Sequence, residues 1–385
     1  MCQNKIFRGG DSECIYFLRF PLAILVVFIH AFGTHIDISK LHAGGLTGTA
    51  IYDYIRLFFS EVLGRSAVPL FFIFSGYLFF QKKKEYSKDI YIAKLRKKWN
   101  SLVVPYFLWI MLMVLCSLMF ILKDILLHGK SWTEILEYFR DNGFLRLFWD
   151  GCTWEKRTTW LGVTTQISGP VLLPFWYMRD LIVMVILSPI IYWTIKKLGT
   201  IWIALLVLFY TFDIRAAWIS DTFASTGLFF SIGAYWAIKR QNFTDVLWKW
   251  KYFILPLTLA MMVWQTYTGS IMGDRWSVMV HPWLIILQSF ALIILGSALY
   301  RYQGLYLFNK KYAKTSFFIY AFHFFVLGHV ISFINNLMPM GNTWYMMTIN
   351  YIVSPIVCVI ICIGVYHFAM RFCPKMLGVL VGVRK

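Results

Sequence analysis

Ten stretches of this chain are apolar over most of the distance needed to cross a bilayer, which takes about 20 mostly apolar residues. They run roughly from 15 to 35, 55 to 80, 100 to 122, 173 to 195, 200 to 214, 222 to 238, 252 to 268, 282 to 300, 316 to 335 and 344 to 370. A chain written this way has one architecture open to it. Every backbone polar group must be satisfied inside the lipid, so the expectation is an all-α, polytopic integral membrane protein of about ten transmembrane helices. Composition agrees, with 59% hydrophobic and 14% charged residues. Such spans pack as one body, so residues 1–385 are read as a single domain.

Charge fixes the expected orientation. If the N-terminus is cytoplasmic, the inside segments hold 25 of the 37 basic residues and only 5 of the 18 acidic ones. Lys5, Arg8, the run from Lys82 to Lys98, and Arg384 with Lys385 are among them. The positive-inside rule then places both termini in the cytoplasm and the 123–172 segment outside. The net charge of +19 is accounted for by these segments and calls for no nucleic acid. A basic start followed by an apolar run also resembles a secretory signal, but no small-x-small cleavage site follows, so the first span is expected to be retained. The seven cysteines are scattered, and only Cys152 falls in an outer loop. Their spacing suggests neither a disulfide nor a metal site.

Within the first span, Arg19 and His30 are separated only by apolar residues and Pro21. An ionisable group in a lipid-spanning helix is costly and marks a functional site by default. Eleven residues make about three helical turns, so both side chains lie on one face, roughly 16 Å apart along the axis. Counting the rise per residue from each span edge places His30, Glu61, Arg65, Arg179 and Asp180 in a similar outer-half layer. Glu61 and Arg65 stand four apart on a helix, where opposite charges neutralise each other. Tyr320 and His323, three apart on the ninth span, come out deeper toward the cytoplasm. They read either as interhelical hydrogen-bonding residues or as further site residues. His35, His42, His128, His281, His329 and His367 read as structural or interfacial.

Two segments outside the lipid also stand out. The run from Gln81 to Lys98 carries eight basic and two acidic residues, and reads as a topology signal beside anionic lipid or as a phosphate-binding patch. The 123–172 segment has six basic and six acidic residues with Trp132, Trp149, Trp154 and Trp160. An aromatic belt accounts for the tryptophans, and a platform for sugar rings is the other reading.

Taken together these residues resemble the acyltransferase-3 family of integral-membrane acyltransferases, stand-alone type. The resemblance rests on Arg19-x10-His30, on Arg65-Ser-Ala-Val-Pro-Leu-Phe-Phe-Ile-Phe-Ser75-Gly76-Tyr77, and on the basic run before Pro105-Tyr106. It rests also on Phe175-Trp176-Tyr177-Met-Arg179-Asp180-Leu181 and Phe317-x2-Tyr320-x2-His323. The family often has an Arg-x-x-Arg element where this chain has Lys94-Leu-Arg96-Lys97-Lys98, and Lys lacks the bidentate fork of Arg.

The resemblance implies an inner-membrane enzyme taking acyl groups, acetyl most simply, from cytoplasmic acyl-CoA to a hydroxyl of a surface polysaccharide, glycolipid or related acceptor. Arg19, Lys94, Arg96, Lys97 and Lys98 would hold the anionic donor. His30 would be general base or nucleophile, with Glu61 or Asp180 orienting it and Arg65 or Arg179 stabilising an oxyanion. Arg179, Trp176, Tyr320 and His323 would meet the acceptor, and no metal is expected. The rival reading from another class is a glycan or lipid transporter or flippase, whose buried charges would line a pathway.

Overall fold

A computed structural model describes residues 10–33, 36, 38–81, 86–158, 164–212, 223–269, 275–337 and 343–382, giving only the backbone for 39, 40, 142, 154–158, 164–167 and 275–278. Lys5, Arg8, His35, Lys82 to Lys84, Trp160, Arg384 and Lys385 lie outside the described residues. The chain is almost wholly helical, as its apolar stretches require. The principal helices are α1 (Gly10–His30), α2 (Gly48–Phe80), α3 (Lys88–His128), α4 (Trp176–Ile186), α5 (Ser188–Leu198), α6 (Thr200–Thr211), α7 (Phe223–Ile238), α8 (Lys251–Thr268), α9 (Arg275–Leu299), α10 (Ser316–Leu337) and α11 (Trp344–Phe372).

Each of the ten expected spans has a helix in this series, with the fourth divided between α4 and α5. Length separates them further. Among the described residues, six helices are long and apolar enough to cross a membrane, or seven if the pair beginning at Leu173 and bent by 63° between α4 and α5 counts as one. With 12 and 16 residues, α6 and α7 reach about 18 and 24 Å, less than the roughly 30 Å of a hydrocarbon core. Large apolar side chains such as Met119, Phe120, Phe253, Leu259, Ile360 and Phe368 face outward, as lipid-facing positions do.

One departure from the helical pattern lies in the 123–172 segment. Cys152–Thr158 pairs antiparallel with Thr164–Gly169, with a bulge between Thr153 and Glu155. The charged residues of this stretch hide any apolar alternation, so the hairpin leaves little trace in the sequence.

The start of α1 is held by a buried carboxylate. Asp11 accepts the hydroxyl of Tyr77 at 2.6 Å, the backbone N–H groups of Phe243 and Thr244 at 3.2 and 3.1 Å, and the Thr244 hydroxyl at 2.6 Å. A carboxylate so fully bonded is satisfied without a cation. It ties the first turn of α1 to the last turn of α2 and to the short helix Phe243–Trp248, where it acts as a cap.

Gly76 has a steric reason for its place after Ser75. A Cβ there would lie 2.1 Å from the carbonyl oxygen of Phe230, and one on Gly233 would lie 1.9 Å from that of Ile73. These reciprocal glycines let α2 and α7 touch backbone to backbone, the small-residue contact typical of membrane helices. Gly76→Ala should therefore lower stability by about 1–3 kcal/mol, the usual range for overpacking. Gly227→Ala, on α7 with open space around the new methyl, serves as the control. Thermal unfolding in detergent would show the difference, and equal curves would remove the crossing as a constraint.

Candidate active site

His30 and His323 lie on α1 and α10, which run in the same direction. The ring of Phe20 stacks on Tyr312 at 5.3 Å, just before α10 begins. Ten residues farther along, the rings of His30 and His323 come within 5.2 Å between centroids, at 40°. This corrects the depth reading that set His323 closer to the cytoplasm. Counting from span edges assumed aligned helix ends, whereas α1 starts lower and is staggered against α10.

The two histidines differ in setting. His323 is fully buried, and its Nδ1 contacts the carbonyl oxygens of Tyr320 at 2.8 Å and Ile319 at 3.1 Å. Carbonyls only accept, so Nδ1 carries the proton and Nε2 keeps a lone pair. That Nε2 is buried and has no hydrogen-bond partner. His30 keeps part of its surface open, has Phe324 edge-on at 5.9 Å, and makes no hydrogen bond among the described residues.

On α2 the helix widens to a π turn over Leu57–Leu63 and tightens to a 3₁₀ turn over Gly64–Ser66. Such breaks in helical regularity are frequent at functional sites. Gly64 lies hard against α1, where a Cβ would meet Ile29 at 2.8 Å. The approach brings Arg65 within electrostatic reach of His30. Arg65 binds both oxygens of Glu61, through Nε at 3.1 Å and Nη2 at 2.9 and 2.8 Å, which is the bidentate arrangement of strong carboxylate pairs. The Arg65 side chain remains 38% exposed and Glu61 only 8%, so the guanidinium is the accessible half.

Arg179 and Asp180 form a sealed pair elsewhere. Arg179 Nε donates to Asp180 at 2.8 Å, while Nη1 donates to the carbonyls of Trp149 at 2.7 Å and Ser168 at 3.2 Å. The guanidinium also lies over the Trp149 ring. These bonds fasten α4 to the 123–172 segment, which gives Arg179 a structural employment where the sequence suggested acceptor binding. Asp180 is correspondingly turned to Arg179, and the rings beside His30 are those of His323 and Phe324.

Tyr320 donates to the carbonyl of Pro174, stacks on Phe175 at 5.6 Å and meets Tyr177 edge-on at 5.7 Å. Tyr177 in turn bonds Ser75 at 3.2 Å. Trp176 is half-buried and packs against Phe72, one position aside from this chain of hydroxyls. Arg19 lies within electrostatic reach of Tyr177 and covers the Tyr16 ring at 4.9 Å. It has no acidic partner among the described residues.

At the end of the molecule where α1 begins lies a cleft of about 1160 Å³. Its lining includes Tyr77 and Gln81, which bond Asp11 and Ser12 of α1. Six cations line it, Lys94, Lys97, Lys98, Lys196, Lys239 and Arg240, with no carboxylate among the described lining residues. Lys94 donates to the Phe79 carbonyl and lies over the rings of Phe79, Phe80 and Tyr86, so it caps α2 while adding its charge. Arg96, which the sequence groups with this cluster, stands apart from it. It is exposed and absent from the lining, because two residues of helix turn it about 200° from Lys94. Arg19 also stands apart from the cleft walls, farther along α1.

Lys196, Lys239 and Arg240 escaped the sequence reading as site residues. Lys196 lies in the last turn of α5, and Lys239 and Arg240 follow α7; in the sequence they count only among the inside charges, and a basic helix end is the signal that finds them. Arg240 is further marked by a positive φ of 56°, a backbone state that non-glycine residues adopt at some cost.

Residues 13–367 match the family model described as an acyltransferase domain, acyltransferase-3. The chain belongs to the acyltransferase-3 family. The match spans nearly the whole chain and includes both histidines, the Glu61–Arg65 pair and the cleft. The protein is thus a multi-pass membrane acyltransferase. No curated protein and no solved structure matches it significantly.

Proposed function

We propose that this acyltransferase-3 protein moves an acyl group, acetyl in the simplest case, from cytoplasmic acyl-CoA to a hydroxyl of a cell-surface polysaccharide, glycolipid or related acceptor at the inner membrane. The observation that carries the reading is the cleft lined by six cations, with no carboxylate among the described lining residues. A polyphosphate donor suits such a surface, since each ammonium or guanidinium contact to phosphate is charge-assisted. The pantetheine arm then passes Arg19 toward His30, about 16 Å up the same helix.

At His30 the balance is simple for the base mechanism. The acceptor O–H gives its proton to the imidazole, the new C–O bond forms, the C–S bond breaks, and the departing CoA thiolate takes the proton back. For the nucleophile mechanism the ring nitrogen holds the acyl group between two such steps. In both, Arg65 meets the negative charge on the carbonyl oxygen, a role supported by its partly exposed side chain.

Deletion of the gene, followed by mass analysis of surface glycans and glycolipids, should remove one acyl substituent. An unchanged acylation pattern would overturn the acceptor class. The transporter reading draws on the bend between α4 and α5, but it calls for matching broken helices in two repeats, and one such pair is present among the described residues.

Two further outcomes follow from the orientation and from Arg19. With the cleft cytoplasmic, a phosphatase fused after Trp154 should be active and one fused after Arg371 inactive; the reverse pattern would move the donor site outside. Arg19→Ala should weaken acyl-CoA binding by about 1.5–3 kcal/mol, the value of a charge-assisted contact. Free CoA should compete for the same site. Unchanged affinity in calorimetry would leave Arg19 as a topology anchor.

A further inference from the structure

Catalysis by an imidazole requires its proton to be on a known nitrogen, and a second group normally sets this by accepting the N–H. The two carboxylates expected to do so are engaged elsewhere, Glu61 by Arg65 and Asp180 by Arg179. The group that remains beside His30 is His323. Its Nδ1–H is fixed on the Tyr320 carbonyl, which leaves Nε2 as an obligate acceptor. That nitrogen is buried, unpartnered and on the ring 5.2 Å from His30. The two rings are not hydrogen-bonded as they stand; the 5.2 Å between centroids leaves room for a bond once the half-open His30 ring turns one of its nitrogens to Nε2.

We propose that His323 is the positioning residue of this acyltransferase, its Nε2 accepting the N–H of His30 and so turning the other His30 nitrogen, with its lone pair, toward the open side of the site. The role rests on the acyl-transfer reading above and deepens it. A sealed acceptor suits this task because it meets neither donor nor acceptor substrate, and its own tautomer is set by backbone. His323 neither gains nor loses a proton during turnover. When His30 takes the hydroxyl proton, the bond to Nε2 holds the imidazolium in place until the thiolate is protonated.

The test compares His323→Gln, whose side-chain oxygen still accepts, with His323→Leu, which cannot. Proton–nitrogen spectra of protein labelled with ¹⁵N-histidine, assigned with His30→Gln, read the His30 tautomer without substrate. Turnover of radiolabelled acetyl-CoA reads kcat and KM. The wild type and the Gln variant should show one His30 tautomer, and the Leu variant a mixture. In the Leu variant kcat should fall about 10- to 100-fold, the scale seen when the hydrogen-bond partner of a metal-ligating histidine is lost, with KM for acetyl-CoA unchanged and the Gln variant retaining most of the rate. A single unchanged tautomer in the Leu variant, or equal loss of kcat in both, would overturn the proposal. His323→Met takes the place of Leu should that variant not fold. A wild type that never turns over acetyl-CoA would refute the donor reading, while the spectra would still decide the pairing.

Discussion

Replacing His30 with Ala is expected to reduce acyl transfer by about 10²- to 10⁴-fold, the contribution of a general base, while leaving the folded protein and its donor affinity intact. The motivation is geometric. His30 is the ring that keeps part of its surface open beside the sealed His323. A histidine that only joined two helices would instead cost about 0.6–2 kcal/mol of packing on substitution and leave turnover largely in place. The measurement is turnover of radiolabelled acetyl-CoA beside monodispersity and calorimetric donor binding. A well-folded His30→Ala protein with near wild-type turnover would sink the mechanism.

The second large effect is expected in the cleft. Reversing two of its charges, Lys97→Glu with Lys196→Glu, should weaken acyl-CoA binding by at least about 100-fold, because each lost contact to phosphate is worth about 1.5–3 kcal/mol and each new carboxylate repels. The loss should shrink as salt screens the surface. Arg96→Glu, on the exposed side of the same helix, should change binding far less. Equal weakening by Arg96→Glu would mean that net charge near the membrane, rather than the cleft, governs the donor.

Much of this arrangement was legible in the chain because lipid imposes a strict grammar. Apolar runs had to become helices, and the i, i+4 spacing of Glu61 and Arg65 was enough to foresee their ion pair. Other features depend on how helices slide past one another, which no single stretch records. The meeting of His30 with His323 needs the stagger of α1 against α10. The cleft needs the ends of α5 and α7 brought beside the start of α3, so Lys196, Lys239 and Arg240 join Lys97 and Lys98 only in space. Arg179 and Asp180 show the opposite difficulty. Their type and depth suggested chemistry, but the fold uses them to fasten a hairpin whose strands carried no clear alternation.

The glycine crossing of α2 and α7 has a consequence for how far the donor reaches. With Gly76 and Gly233 pressed onto each other's backbone, α2 has no room to slide by a fraction of a turn, since any such movement drives a carbonyl into a neighbouring Cα. The helix itself sets the height between the cleft wall at Phe80 and the Ser75 hydroxyl, five residues or about 7.5 Å, and the crossing holds that wall in register with Lys239 and Arg240 after α7. On the donor reading proposed above, a donor anchored by its phosphates would be measured against this rigid gauge, and the length of its arm, more than any hinge in the protein, would set how deep its thioester arrives.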